Sequence, residues 1–315
     1  MKKLTLVIIS FLSVIIICTR CNKKEEETKP FKIDGLTYEN FPVIDGSTST
    51  DPLVKLIACK LLQSDYYWMR SHLETWGVFT DLPEEFVEQH LKSSQTHNAF
   101  INLIDKKADM IFSARKMSDD EKLYAANAGV NLIETSIALD ALIFVVNVEN
   151  GIKSLTHEQL KDIYTKKIKN WKDVGGNNEQ ITPYIRNKNS GSQELMETLV
   201  FKGEPIPDDF PEDNIISSMM GLFTDVQENI NGLGYTVYYY KENIIRDLIT
   251  VKTLRINDVY PDSKTIKNKN YPYVAEVYVI IRSDLERSSM AYRIYELMRT
   301  TAGKEVIRES GYVPN

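Results

Sequence analysis

Two segments of this chain are the most informative about its fold, LTHEQLKDIYTKKIKNWKDVGG (155–176) and ITPYIRNKNSGSQELM (181–196). In the first segment, Thr156 and Gln159 form a capping box that predicts the start of an amphipathic helix. In the second, a strand ends at Arg186, and the polar turn that follows it leads into another helix. This alternation of helix, strand and helix predicts an α/β unit.

The same alternation continues outward in both directions. A strand, a polar turn and a helix are predicted in FPVIDGSTSTDPLVKLIACKLL (41–62). Further strands are predicted in ADMIFSA (108–114), ALDALIFVVNV (138–148), GLGYTVYYY (232–240) and YPYVAEVYVII (271–281), and a closing helical pair in 288–311. The continuous apolar runs are typical of strands buried on both faces. We therefore predict an α/β architecture with mixed, mostly parallel sheets and flanking helices.

Three polar turns stand where a predicted strand passes into a helix. They lie at 45–52, 93–98 and 186–192, and each is rich in Ser, Thr or Asn. Ser and Thr are favoured at helix N-termini simply as caps, so one such turn alone carries little information. Free backbone N–H groups at helix N-termini also bind anions. Three turns of this kind, one of them with an arginine, favour an anion site.

Composition excludes several classes of protein. The chain has 315 residues, 43% of them hydrophobic and 26% charged, which is typical of a globular protein of about two domains. A net charge of −6 argues against a nucleic-acid-binding protein. Three cysteines and four histidines, without an HExxH pair, predict neither a structural nor a hydrolytic zinc site. We expect no metal and no cofactor.

The N-terminus has the pattern of an export signal. Two lysines precede an apolar run at 4–18, which is shorter than the roughly 20 residues needed to span a membrane. We predict a signal peptide at 1–20, with a permanent anchor helix as the alternative. Its removal deletes three of the 38 basic residues and no acidic one, which leaves a net charge of −9.

Cys21 follows the apolar run and begins a charged segment at 21–31. This arrangement resembles a bacterial lipoprotein, in which such a cysteine is lipidated and the segment after it is a tether. Cys18, inside the apolar run, is the other candidate for the lipid. We therefore expect an exported lipoprotein of the cell envelope, held on the membrane by an N-terminal lipid anchor.

The two opening segments, together with DGSTST, ADMIFSARK, DALIFVVN and NGLGYTVYYY, resemble the periplasmic phosphate-binding proteins of ABC transporters. The resemblance covers residues 40–315. It implies the two-lobed type II periplasmic-binding-protein fold, with one lobe at 32–138 plus 240–315 and the other at 139–239. It also implies two crossovers, near 138–142 and 236–240. Inorganic phosphate and an ABC transporter permease are the partners that it implies, and we expect a monomer.

The resemblance also implies which residues bind the ligand. Arg186 would hold two phosphate oxygens through its guanidinium. Hydroxyl and N–H donors would come from all three turns, and these are Ser49, Thr50, Ser94 or Thr96, Ser190, Gly191 and Ser192.

One position departs from the family. Well-known members have an aspartate after the strand ADMIFSA, where it accepts the phosphate proton, and this chain has Arg115 there. Arg115 could be a second cation on the ligand or part of a surface ion pair. We expect Asp140, an acid within an apolar strand, to accept the proton instead. A hydrogen bond to backbone near the crossover is the alternative role for Asp140, and Asp51 is the next candidate for the acceptor.

The sequence also bears on two other functions. A serine hydrolase using Ser190 or Ser192 is disfavoured, because no Gly-x-Ser-x-Gly motif surrounds them and no motif supplies a base. We therefore do not expect an enzyme. The alternative to a transport protein is a sensor or scavenger of phosphate, or of another oxyanion such as sulfate, without transport.

Overall fold

The computed structural model describes residues 30–71 and 75–315. The predicted signal peptide, both candidate lipidation cysteines and nearly all of the predicted tether lie outside the described residues. Among the described residues, no helix has both the length and the apolar character that a membrane crossing requires.

The chain alternates strands and helices, as the sequence predicts. The strands are β1 Ile44–Gly46, β2 Tyr66–Arg70, β3 Trp76–Thr80, β4 Met110–Ser113, β5 Leu132–Asn147, β6 Ser154–Leu155, β7 Thr182–Pro183, β8 Ile185–Arg186, β9 Ile215–Ile216, β10 Gly232–Val237, β11 Val251–Thr253, β12 Arg255–Ile256, β13 Val274–Arg282 and β14 Val313–Pro314.

The α-helices are α1 Asp51–Leu62, α2 Glu84–His90, α3 Thr96–Ile104, α4 Asp119–Asn127, α5 His157–Tyr164, α6 Gly191–Leu195, α7 Met219–Glu228, α8 Ser263–Lys267, α9 Met290–Met298 and α10 Thr301–Glu309. Short 3-10 helices occupy Thr48–Thr50, Trp171–Val174 and Glu212–Asn214, and π-helical turns occupy Met196–Val200 and Tyr240–Ile244.

The long strand β5 joins two half-sheets. Its N-terminal part pairs with β13 and β14, and β13 continues to β4 and β1. Its C-terminal part, after Ala141, pairs with β10 and β11, and β10 continues to β7. We call the elements on these two sides the first half and the second half of the structure.

The sheet is mixed rather than mostly parallel. Among the described strands, β1–β4, β7–β10, β8–β9 and β6–β12 pair in parallel. Each strand that pairs with β5 in the described part of the chain runs antiparallel to it, as does β13 to β4. The apolar run in β5 predicted burial correctly, but burial on two faces does not determine the direction of the neighbouring strand.

The boundary of the second half differs from the sequence expectation. Residues 240–315 were expected to lie wholly in the first lobe. The structure places Val251–Thr253 against Val145–Asn147 of β5, and β12 against β6. The chain therefore returns to the second half before it enters β13. The open edge of β5 supplies the backbone partners for this return, and the local sequence does not reveal that edge.

Helices cover both half-sheets. α3 packs on β1, β4 and β13, α9 packs on β13, and α7 packs on β5 and β10. One buried apolar cluster runs through both halves and includes Ile57, Phe144 and Tyr235. Within this frame, α1, α3 and α6 begin close to one another at the boundary between the halves.

Candidate anion-binding site

The three hydroxyl-rich turns meet at one cleft of about 370 Å³ between the two halves. Its lining consists of residues 47–49, 95–98, 186–192 and 217–220, with Ala114, Val237 and Tyr240. Each turn lies where a helical segment begins, because Ser47, Gln95 and Ser190 are the N-caps of the segments that follow them. The structure therefore brings together the three turns that the sequence singled out.

The first turn contributes Ser47, Thr48 and Ser49. Thr50 was also expected to bind ligand, but it is not part of the cleft lining. Its hydroxyl donates to the carbonyl oxygens of Ser47, at 2.9 Å, and Phe112, at 3.1 Å, and its N–H donates to Ser47. Ser47 and Thr48 also line the cleft, although neither was among the residues expected to bind the ligand. The N-cap preference for Ser would have indicated Ser47.

The second turn contributes residues 95–98. Thr96 begins α3, and its Oγ1 lies 2.9 Å from the Ser47 Oγ, so the first two turns share a hydrogen bond. Ser94, the other candidate, is outside the lining. Its N–H donates to Asp45 Oδ1 at 2.9 Å. Ser94 therefore holds the turn in place and does not face the cleft.

The third turn contributes Arg186 and residues 187–192. The Ser190 Oγ accepts a hydrogen bond from the Gln193 N–H at 3.2 Å, which caps α6. The Arg186 Nη1 donates to the Ser192 Oγ at 3.2 Å, and its Nε donates to the Ile216 carbonyl at 2.8 Å. The carbonyl of Ser217 accepts from Nη2 at 3.4 Å. These contacts hold the guanidinium at the cleft wall.

Arg186 is a buried cation without an anionic partner in the described part of the chain. Only 5% of its surface is exposed, and no described carboxylate lies within ion-pair distance of it. Burial lowers the pKa of its guanidinium from the usual value, an indication of the cost of keeping this charge away from water. Among the described residues, the cleft lining also contains no Asp or Glu. Buried charges in proteins are normally paired, so this cleft is suited to an anion.

Asp140 lies away from the cleft. Its Oδ1 accepts hydrogen bonds from the Ala141 N–H at 2.8 Å and from the Tyr239 N–H at 2.9 Å. Its Oδ2 is buried with no hydrogen-bond partner among the described residues, and burial raises the pKa of the carboxyl to about 7. Asp140 therefore joins β5 to the segment after β10, which is the backbone role considered as its alternative. Asp51 is also outside the cleft lining and pairs with Lys55 at 2.9 Å.

Arg115 does not line the cleft either. Its guanidinium forms two 2.7 Å bonds with the carboxylate of Glu121, and only 4% of Arg115 is exposed. Of the two roles considered for Arg115, the structure shows the ion pair. The pair is buried, however, and not at the surface as expected. Ala114, one residue earlier, takes the place at the cleft wall.

Comparison with known proteins identifies the family. The family model of the PBP superfamily domain matches residues 68–292, which is more than half of the chain. This chain is a member of the PBP superfamily. The resemblance to phosphate-binding proteins that the sequence motifs indicated is confirmed by relatives over most of its length.

Two curated relatives illustrate the similarity. The phosphate-binding protein PstS of Borreliella burgdorferi is 28% identical over 226 residues, which are 70% of this chain and 76% of that protein. The phosphate-binding protein PstS of Bacillus subtilis is 22% identical over an alignment of 319 positions, which covers 100% of this chain and 95% of that protein.

Solved structures share the fold. A protein from Clostridium perfringens, described as a phosphate ABC transporter substrate-binding protein with bound phosphate, matches 88% of this chain and 100% of its own at a TM-score of 0.65 and 22% identity. An ABC-type phosphate transport receptor from Vibrio cholerae matches 87% of this chain and 99% of its own at a TM-score of 0.61 and 22% identity. The two-lobed type II periplasmic-binding-protein fold of this superfamily member is thereby confirmed.

Proposed function

We propose that this protein is an extracytoplasmic solute-binding protein that captures inorganic phosphate in its cleft for an ABC transporter. One observation carries the proposal. Arg186 is buried at the wall of a cleft where three helical segments begin, and no described carboxylate balances its charge. Backbone N–H groups at helix N-termini, hydroxyls and a guanidinium are the donors that hold a tetrahedral oxyanion.

The residues proposed to contact phosphate follow from the cleft lining. They are Ser49, Thr96, Arg186, Ser190, Gly191 and Ser192, as the resemblance implied, together with Ser47 and Thr48. The first two turns belong to the first half and the third to the second half. We propose that the halves act as two lobes that close on the ligand, because donors from both sides converge on one small anion.

The relatives support a role in transport rather than in catalysis. They are named phosphate-binding proteins, and a neighbour in fold is an ABC-type phosphate transport receptor. Ser192 has Arg186 as its hydrogen-bond partner, and Ser190 has the Gln193 N–H. Neither partner can act as a general base, and this supports the view that the protein is not an enzyme.

The proposed location is the outer side of a membrane. We propose that Cys21 is lipidated and anchors the protein as a monomer, and that the permease of the transporter receives the phosphate. The acidic mature chain does not attract anions by its overall charge, so local donors must supply the affinity.

Calorimetric titration of the chain without residues 1–20, with phosphate, sulfate and arsenate, tests ligand capture. We expect saturable binding of one phosphate per chain. The absence of heat at millimolar phosphate, with the chain shown to be folded, would overturn the proposal.

Uptake of radiolabelled phosphate by cells that lack the gene separates a transporter component from a sensor. The wild-type gene should restore uptake and Arg186→Ala should not. A protein that binds phosphate in the calorimeter but leaves uptake unchanged would instead be the sensor or scavenger.

A further inference from the structure

The buried pair of Arg115 and Glu121 lies directly behind the cleft. Glu121 is fully buried, and both of its oxygens accept 2.7 Å hydrogen bonds from the Arg115 guanidinium. Glu121 Oε2 also accepts from the Ser118 N–H at 2.8 Å, which completes the capping box of α4. These bonds give the guanidinium one orientation.

The pair contacts two of the three ligand-binding turns, one in each half. Glu121 Oε1 lies 2.9 Å from the Nδ1 of His97, which lines the cleft from the second turn. Arg115 Nη2 donates to the carbonyl oxygen of Asn189 at 3.0 Å. Asn189 immediately precedes Ser190, the N-cap of α6, and its backbone has a φ of 64°. The second contact crosses the boundary between the halves.

A weaker contact supports the same crossing. Asp120 Oδ2 lies 3.2 Å from Lys188 Nζ and accepts from Asn189 Nδ2 at 3.3 Å. The side chains of Lys188 and Asp120 are 80% and 53% exposed, so solvent and salt weaken their attraction. The bond from Arg115 is shielded from water, and it therefore dominates this crossing.

We propose that Arg115 is a positioning residue for ligand capture. When the halves close, Arg115 bridges Glu121 to the Asn189 carbonyl and thereby prolongs the bound state. The bridge sets the path of the chain into Ser190, Gly191 and Ser192, so the N–H groups of that turn face the ligand. This inference rests on the proposed capture of phosphate. The alternative is that the ion pair only stabilises the first half.

Dissociation and association rates distinguish the two roles. Arg115→Lys keeps the charge next to Glu121 but loses the planar fork that reaches two acceptors. The loss of a hydrogen bond from a charged group changes the free energy enough to alter a rate by about tenfold. We therefore expect radiolabelled phosphate to dissociate from Arg115→Lys about 10 times faster than from the wild type in a chase experiment. The association rate should change less than about twofold, since the bridge forms after the ligand has entered.

A second variant and a control complete the test. Glu121→Gln keeps the side-chain volume but removes the charge that orients Arg115, and it should raise the dissociation rate in the same way. Lys122→Ala removes an exposed pair with Asp119 on the same helix and should leave both rates unchanged. A folded Arg115→Lys with wild-type dissociation overturns the inference, even if its melting temperature falls.

A measurement on the wild-type chain needs no variant. Phosphate should slow hydrogen exchange in the peptide that contains residues 115–121 together with the peptide that contains 187–192. Protection of 187–192 alone would also overturn the inference. A wild-type protein that binds no phosphate would instead contradict the proposed function.

Discussion

Gly191 and Thr96 approach each other so closely that a methyl carbon at Gly191 would lie 2.8 Å from the Thr96 Oγ1. Gly191 begins α6 in the second half, and Thr96 begins α3 in the first half. The absence of a side chain at Gly191 therefore allows two helix N-termini from opposite halves to line the same cleft.

We expect Gly191→Ala to weaken phosphate binding by roughly 10- to 100-fold, because overpacking a tight contact costs about 1–3 kcal/mol. The added methyl group opposes closure, and the second half itself should fold normally. Calorimetry checks the affinity. Gly151→Ala is the matched control, since a methyl group there meets no atom of the described residues within 4 Å, and it should bind phosphate as the wild type does. Equal affinities for the two variants would contradict the prediction.

Arg186→Ala should weaken phosphate binding by about 100-fold or more, since each charge-assisted hydrogen bond contributes about 1.5–3 kcal/mol and the guanidinium can form two. Arg186→Lys should recover only part of the affinity, because an ammonium group lacks the planar fork. The exposed Arg299 serves as the control, and Arg299→Ala should leave the titration unchanged. Wild-type affinity in Arg186→Ala would remove Arg186 from the site.

The protein should discriminate poorly between phosphate and sulfate, by less than about 100-fold at neutral pH. Phosphate carries an O–H and sulfate does not, and a carboxylate in the cleft would reject sulfate strongly. No described carboxylate lines this cleft. Hydroxyl groups rotate to donate or to accept, so they suit both anions. Competition calorimetry measures the ratio.

Ala114→Asp would place an acceptor at the cleft wall, and it should lower the affinity for sulfate far more than that for phosphate. Asp140→Asn, outside the cleft, should leave the ratio unchanged. A high wild-type preference for phosphate would show that another group accepts the proton.

Asp140 should make the stability of the protein depend on pH. Burial raises the pKa of its carboxyl to about 7 in the folded state, against about 4 in the unfolded chain. The folded state therefore retains a proton that the unfolded state releases. This contribution to the free energy of unfolding is greatest below pH 4 and falls as the pH rises to 7, by at most about 1.4 kcal/mol per pH unit.

Urea unfolding between pH 5 and pH 8 tests this expectation. The amide of Asp140→Asn resembles the protonated carboxyl but does not titrate. The stability of this variant should therefore not show the decrease with pH that Asp140 causes, and its stability relative to wild type should rise with pH. Asp51→Asn is the control, because Asp51 pairs with Lys55 at the helix surface, and it should keep the slope. Parallel profiles for wild type and Asp140→Asn would contradict the assignment.

The parts of the site that depend on local chemistry could be predicted from the sequence alone. The start of a helix at Ser190, Gly191 and Ser192 is predictable, because N-capping and the backbone freedom of glycine act within a few residues of the chain. The continuous apolar run of β5 predicted a buried strand, because this pattern is also read within a short stretch of sequence. Arg186 was expected at the ligand because it stands beside such a turn in a family motif.

Which of these groups line the cleft depends on contacts between segments that are distant in the sequence. Thr50 and Ser94 have hydroxyls like their neighbours, but contacts with Phe112 and Asp45 hold them within the first half. Arg115 turns to Glu121, and Asp140 to the backbone of Tyr239, 99 residues away. The partner of a buried charge is set by which elements pack against it, and that packing brings together residues distant in sequence. The local sequence therefore predicts the donors, and only the packed chain assigns each donor its acceptor.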